Sequence, residues 1–224
     1  MKNKGALPLN VKTPWPTKDA MEQVYAMKLW GDNQSAFYSG EGSHLPELVA
    51  PYIDYLGDFL RAFDPPLVVC DLGCGDFNIG SQLVNDTQRY KAIDIVPNLI
   101  AYNKAHFTHE KLDFRCLDIA TDAIPSGDCA ILRQVLQHLS NAEIQRIVKK
   151  LAQFTYVIVT EHIPAGAFTP NKDQISGQGI RLKNDSGVDL LAAPFNLKVK
   201  EVQQVLSQEA TNYGGRIVTT LYRR

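Results

Sequence analysis

The sequence predicts an α/β fold built on a mostly parallel sheet, and three observations carry that expectation. Short apolar runs alternate with helical stretches, the first run breaks into an acid and glycines, and the chain closes on two further strand-like runs. Leu67 to Cys70 is a continuous apolar run that stops at Asp71, as a strand covered on both faces does. Tyr90 to Asp94, Leu112 to Leu117, Cys129 to Leu132 and Tyr156 to Val159 read as the next four strands. Between them, 141–153 places Ile144, Ile147, Val148 and Leu151 on one helical face. Ser140 and Glu143 open that helix as a capping box, and Pro97 suits the first turn of another. Strands and helices alternating at this spacing imply parallel strands with helices on the faces.

Upstream, an apolar stripe from Leu45 to Phe63 is a long helix that stops at Asp64-Pro65-Pro66. Pro46 fits its first turn, whereas Pro51 is expected to kink it or mark its true start. Residues 1–44 form an N-terminal arm, rich in Pro, Trp and Tyr, and 45–224 the main domain. The polar stretch around 162–195 is long for a structureless loop and is expected to serve the function. Two more strands, around 196–201 and 216–222, are expected to pair antiparallel.

Composition narrows the function. The chain has 224 residues, 45% of them hydrophobic, enough for one sizeable core. Lys and Arg number 23 against 24 Asp and Glu, a balance that disfavours a nucleic-acid partner. No apolar run is long enough for a membrane span, and the start lacks the apolar core of a secretion signal. Cys70, Cys74, Cys116 and Cys129 form no C-x-x-C pair, so reduced thiols, no metal site and a cytoplasmic protein are expected.

The sharpest feature is Asp71-Leu72-Gly73-Cys74-Gly75, at the end of the first strand and ahead of an expected helix. Glycines let a ligand approach the backbone, and a helix start offers free N–H groups. A carboxylate at Asp71 repels a pyrophosphate, which disfavours a dinucleotide, but suits an ammonium or sulfonium. Position 78 is Asn78, so the third glycine of a dinucleotide fingerprint is missing as well.

These residues resemble the first motif of class I S-adenosylmethionine (SAM)-dependent methyltransferases, and the likeness continues in order. Asp94 follows Gly75 by 19 residues, at the end of the second strand. Leu117-Asp118-Ile119 is similar to that family's adenine-binding segment, and Asp128 through Leu139 to its fourth motif. The resemblance implies a doubly wound, seven-stranded, mostly parallel sheet with the last strand antiparallel and an N-terminal helical lid. It implies an enzyme with SAM as cofactor and S-adenosylhomocysteine (SAH) as product. The cofactor residues carried over are Asp71, Gly73, Cys74, Gly75, Asp94, Ile95, Asp118, Ile119 and Arg133, with Asp94 on the ribose hydroxyls. Arg133 departs from the small or neutral residue common there. Its carbonyl is expected to meet the cofactor, and its guanidinium to turn toward an acid or an anionic substrate.

Methyl transfer asks the protein to align nucleophile, methyl and sulfur and to take one proton. Ligands in such sheets bind beyond the carboxyl ends of the strands, which nominates Glu161 and His138 as bases, with Glu161 slightly favoured. Trp30, Tyr38, His44, Gln134 and Arg181 are the expected acceptor-binding residues. The acceptor is expected to be a polar small molecule methylated on oxygen or nitrogen. The alternatives are a protein or nucleic-acid methyltransferase and a SAM-binding module without catalysis.

Overall fold

The computed structural model describes residues 14–210 and 214–224. Seven strands form one sheet: β1 Val68–Leu72, β2 Arg89–Asp94, β3 Leu112–Cys116, β4 Cys129–Arg133, β5 Tyr156–Ile163, β6 Glu201–Glu209 and β7 Arg216–Arg223. Their order is β3-β2-β1-β4-β5-β7-β6. The first five run parallel, and β7 enters antiparallel between β5 and β6. The strand order reverses between β1 and β4, so their carboxyl ends bound the crevice where sheets of this kind hold ligands.

Strand alternation divides the core between two faces. Cys70, Leu72, Ala130, Leu132, Val157 and Val159 pack against Ile144, Ile147 and Val148 of α4 (Asn141–Lys150). Val69, Tyr90, Cys129, Ile131 and Ile158 face the other way, toward Tyr52, Leu56 and Leu60 of α2 (Pro46–Arg61). Ile100 of α3 (Pro97–His106) joins that second cluster. The sheet is therefore doubly wound. The arm contributes α1 (Thr17–Ala26), whose Met21 packs with Leu99 of α3. No helix among the described residues is long and apolar enough to cross a membrane.

Four local expectations change. No α-helix follows the glycine turn; residues 80–82 and 84–86 form single 3-10 turns instead. Phe77 takes a left-handed φ of 64°, and its ring is buried against Tyr90, Phe107 and Phe114, which breaks the helical path. Pro51 lies inside α2, which runs unbroken from Pro46, the residue at its first turn. β5 extends through Ile163, so Glu161 and His162 belong to the strand rather than to a loop after it. β6 starts at Glu201, later than expected, because 196–200 is irregular chain leading into it.

Candidate active site

A cavity of about 430 Å³ opens at the carboxyl ends of β1, β2 and β4, within the size range of small-molecule sites. Its floor is the glycine turn. Gly73 and Cys74 both donate their N–H to the Ile93 carbonyl, at 2.8 and 2.9 Å, which ties the turn to β2. Gly73 has φ +99°, and a Cβ there would collide with a Val135 methyl, so only glycine fits.

Acids gather at this end. Asp94 accepts from Gly75 N through Oδ2 and from Val96 N through Oδ1, both at 3.1 Å. A carboxylate has about four acceptor sites, so roughly two remain for a ligand. Asp71 accepts from the Tyr90 hydroxyl at 2.9 Å, and burial pushes its carboxyl up to about 7. Asp118 accepts from Ala120 N at 2.8 Å and lines the cavity between Leu117 and Ile119. Cys74, Gly75 and Ile95 also line it. The nine expected cofactor residues therefore border one space.

The arm closes over this floor through Asp76, a residue the sequence reading passed over. The Asp76 carboxylate accepts from Ser39 N at 2.8 Å and is paired with His44 Nε2 at 2.7 Å. Asp76 N in turn donates to Ser39 Oγ at 2.9 Å, and the Tyr25 hydroxyl lies 3.0 Å from the same oxygen. Asn78 Nδ2 adds a bond to the Ser43 carbonyl at 2.7 Å. A second tie uses Glu143 of the capping box, whose carboxylate accepts from the hydroxyls of Thr17 and Ser176 as well as Ser140. Burial works against its charge, but the hydrogen bonds from Ser140, Ser176 and Thr17 prevail and hold its carboxyl below the usual range.

The expected acceptor and base residues separate into two groups. Trp30, Gln134 and His138 line the cavity. The His138 ring lies 5.0 Å from Trp30, centroid to centroid, and accepts at Nε2 from the Gln137 amide at 3.3 Å. Its Nδ1 is buried without a partner, and burial lowers the imidazole to about 4.

The other group corrects the sequence expectations. Glu161 points to the α4 face, as Val157 and Val159 do, and does not border the cavity. Its Oε1 accepts from Leu136 N at 3.0 Å, Oε2 has no partner, and burial pushes the carboxyl up to about 8. Arg181 is not an acceptor ligand either; it is 1% exposed. Its guanidinium donates to the carbonyls of Leu136, Gln137, Leu139 and Lys172 and to Asn141 Oδ1. The polar stretch 162–195 thus spends its one buried arginine on orphan carbonyls of the chain ahead of α4. Tyr38 packs on His44 at 4.6 Å, and both stand outside the cavity lining. Arg133 forms no ion pair; its partners are Gly42 O, Ser43 Oγ and Gln134 Oε1. Among the described residues no group of His, Cys, Asp and Glu could hold a metal ion.

Known proteins share this fold. Residues 69–155 match the family model described as a methyltransferase domain. No curated protein matches the chain in sequence. Among solved structures, the N-methyltransferase NodS from Bradyrhizobium japonicum WM9, in complex with SAH, is 14% identical with a TM-score of 0.63, over 92% of this chain and 99% of that one. Magnesium protoporphyrin IX methyltransferase from Synechocystis PCC 6803, with bound SAM, is 15% identical with a TM-score of 0.55, over 96% and 100%. Human N-acetylserotonin methyltransferase, in complex with SAM, is 18% identical with a TM-score of 0.51, over 93% and 65%.

Proposed function

We propose, from the premise that this chain is a class I SAM-dependent methyltransferase, that it methylates an oxygen or nitrogen of a polar small molecule. One observation carries the reading: the glycine turn, Asp71, Asp94, Asp118 and the end of β4 border a single cavity. The residues present fit SAM. Three acids line one end, suiting a ligand with a sulfonium, an ammonium and ribose hydroxyls. Bound there, SAM supplies a methyl group on a cationic sulfur that departs as a neutral thioether.

The chain's own residues do the rest. Asp94 accepts from the ribose hydroxyls, and the Gly73–Gly75 turn admits the ligand against bare backbone. Asp118 and the Ile119 segment hold the adenine. His138 is the base: its neutral ring takes the acceptor's proton at Nε2, in exchange for the long 3.3 Å bond from the Gln137 amide, while Nδ1 keeps its hydrogen. The size of the cavity and its polar rim from the arm, with Gln134 and Trp30, favour a small acceptor over a macromolecule. The magnesium protoporphyrin IX and N-acetylserotonin enzymes are named for small-molecule acceptors. The test is mass spectrometry of metabolite extract incubated with the protein and isotope-labelled SAM. A labelled small molecule is expected; label on protein or nucleic acid alone, or SAM binding without turnover, would each replace the proposal.

Replacing Asp94 with Ala removes the acceptor for two ribose hydroxyls. The expected cost in SAM affinity is about 1–3 kcal/mol, or roughly five- to 150-fold by calorimetry. Wild-type affinity in folded Asp94→Ala protein would refute the ribose role.

The arm acts as a lid over both ligands, latched by Asp76. Amide exchange across Trp30 to His44 is expected to slow on adding SAH, because segments that fold over ligands come from the low-stability end of a structure. Asp76→Ala should speed exchange in that segment while leaving β1 and β4 protected. Identical protection with and without SAH would make the arm fixed scaffold.

A further inference from the structure

We propose that Arg133 and the Tyr52 hydroxyl anchor a carboxylate inside the cavity, an inference that rests on the methyltransferase reading above. Alternation along β4 sends Arg133 to the α2 face, with Cys129 and Ile131, where its guanidinium carbon lies 4.9 Å from the Tyr52 ring centroid. Nη2 donates to the Gly42 carbonyl at 2.6 Å. Nη1 donates to Gln134 Oε1 at 3.1 Å and, more loosely, to Ser43 Oγ at 3.4 Å. These bonds engage three of the five donors that a guanidinium carries.

The two donors left are the Nε–H, which is buried with no acceptor, and one N–H on Nη2. In a guanidinium the Nε–H and the Nη2 N–H on its side share an edge that takes both oxygens of a carboxylate, and a carboxylate there leaves the other Nη2 N–H for Gly42. The Tyr52 hydroxyl, beside Thr160, is also buried without a hydrogen bond of normal geometry. Arg133 and Tyr52 both border the cavity.

Charge points the same way. No ion pair among the described residues includes Arg133. Asp71 borders the same cavity and acts on Arg133 through space, but it accepts from the Tyr90 hydroxyl and makes no ion pair with the guanidinium. A desolvated cation with no carboxylate in direct contact is costly, and a ligand oxyanion offsets that cost. Two ligands can deliver one: the methionyl end of SAM, or an acceptor that is itself a carboxylic acid.

Calorimetry on the full chain and on Arg133→Gln separates them, with SAM and its decarboxylated analogue as the first pair of probes. Benzoate and benzamide, added to protein saturated with SAH, are the second pair. If SAM delivers the carboxylate, wild type prefers SAM over the analogue by about tenfold and Arg133→Gln erases the preference. If the acceptor does, wild type binds benzoate and not benzamide, Arg133→Gln weakens benzoate by about tenfold, and the SAM-to-analogue ratio stays put. Tyr52→Phe removes one hydroxyl and moves the same readout in the same direction by roughly threefold. It serves as the test if circular dichroism shows Arg133→Gln unfolded. An unchanged SAM-to-analogue ratio, together with benzoate binding that the substitutions do not weaken, overturns the anchor. Failure of SAM to bind wild type strikes the donor assignment instead, and benzoate on the unliganded protein then tests the anchor alone.

Discussion

Arg181→Ala is expected to cost about 4 kcal/mol of stability and to lower the melting temperature by on the order of 10 °C. The guanidinium is a buried hub. It holds three carbonyls of the 136–139 segment, the Lys172 carbonyl and the Asn141 side chain, all from 1% exposure. Alanine leaves those oxygens inside without donors, and each unsatisfied group costs about 1–3 kcal/mol before any relaxation. Water entering the gap recovers part of the sum, which is why the expected loss is smaller than four or five such penalties. Arg181→Lys should recover little, since an ammonium cannot span acceptors that a planar fork reaches. Thermal and urea denaturation provide the measurement. A melting temperature within about 2 °C of wild type would mean that the segment ahead of α4 holds itself.

His138→Asn is expected to reduce turnover by about 10²–10⁴ with SAM affinity unchanged, if the acceptor loses its proton in the reaction. Glu161→Gln should keep most of the activity. At pH 7 a carboxyl pushed up to about 8 is mostly protonated, and glutamine has nearly its shape. The pH dependence discriminates further. A carboxyl whose folded value lies above its ordinary one binds more protons folded than unfolded across that interval. Glu161 therefore withdraws stability as pH rises from its ordinary range to about 8, and Glu161→Gln should flatten that decline. For His138 the folded value is depressed to about 4, so the ring stays neutral and turnover should not fall through pH 6 on its account. Lost turnover in Glu161→Gln with full activity in His138→Asn would return the base role to Glu161.

The sequence made the sheet legible because buried parallel strands announce themselves as unbroken apolar runs between helix signals. The turn at Gly73 was legible in its own pattern, whereas Asp94 was nominated by the resemblance; both border the cavity. Ser140 and Glu143 formed their box as expected, but the ties from Glu143 to Thr17 and Ser176 span 126 and 33 residues and leave no local trace. Three misreadings share a cause. Local pattern nominates Glu161 and a helix after Gly75, and the family resemblance nominates Arg181, but each is decided by a distant neighbour. For Glu161 it is Leu136 N, for Arg181 the carbonyls ahead of α4, and for Phe77 an aromatic pocket from β2, β3 and the end of α3. Periodicity also stopped β5 too early, because Thr160, Glu161 and His162 are polar yet fully inside.

The arm's contact between Trp30 and His138 gives the molecule an optical gauge. The chain has two tryptophans. Trp15 is 61% exposed and emits as an indole in water whatever happens in the cavity. Trp30 lies on the cavity wall against an imidazole, where any occupant changes both the polarity and the quenching that its indole feels. Fluorescence of the native chain thus divides into a constant background and a signal that reports filling of the crevice, with no label attached.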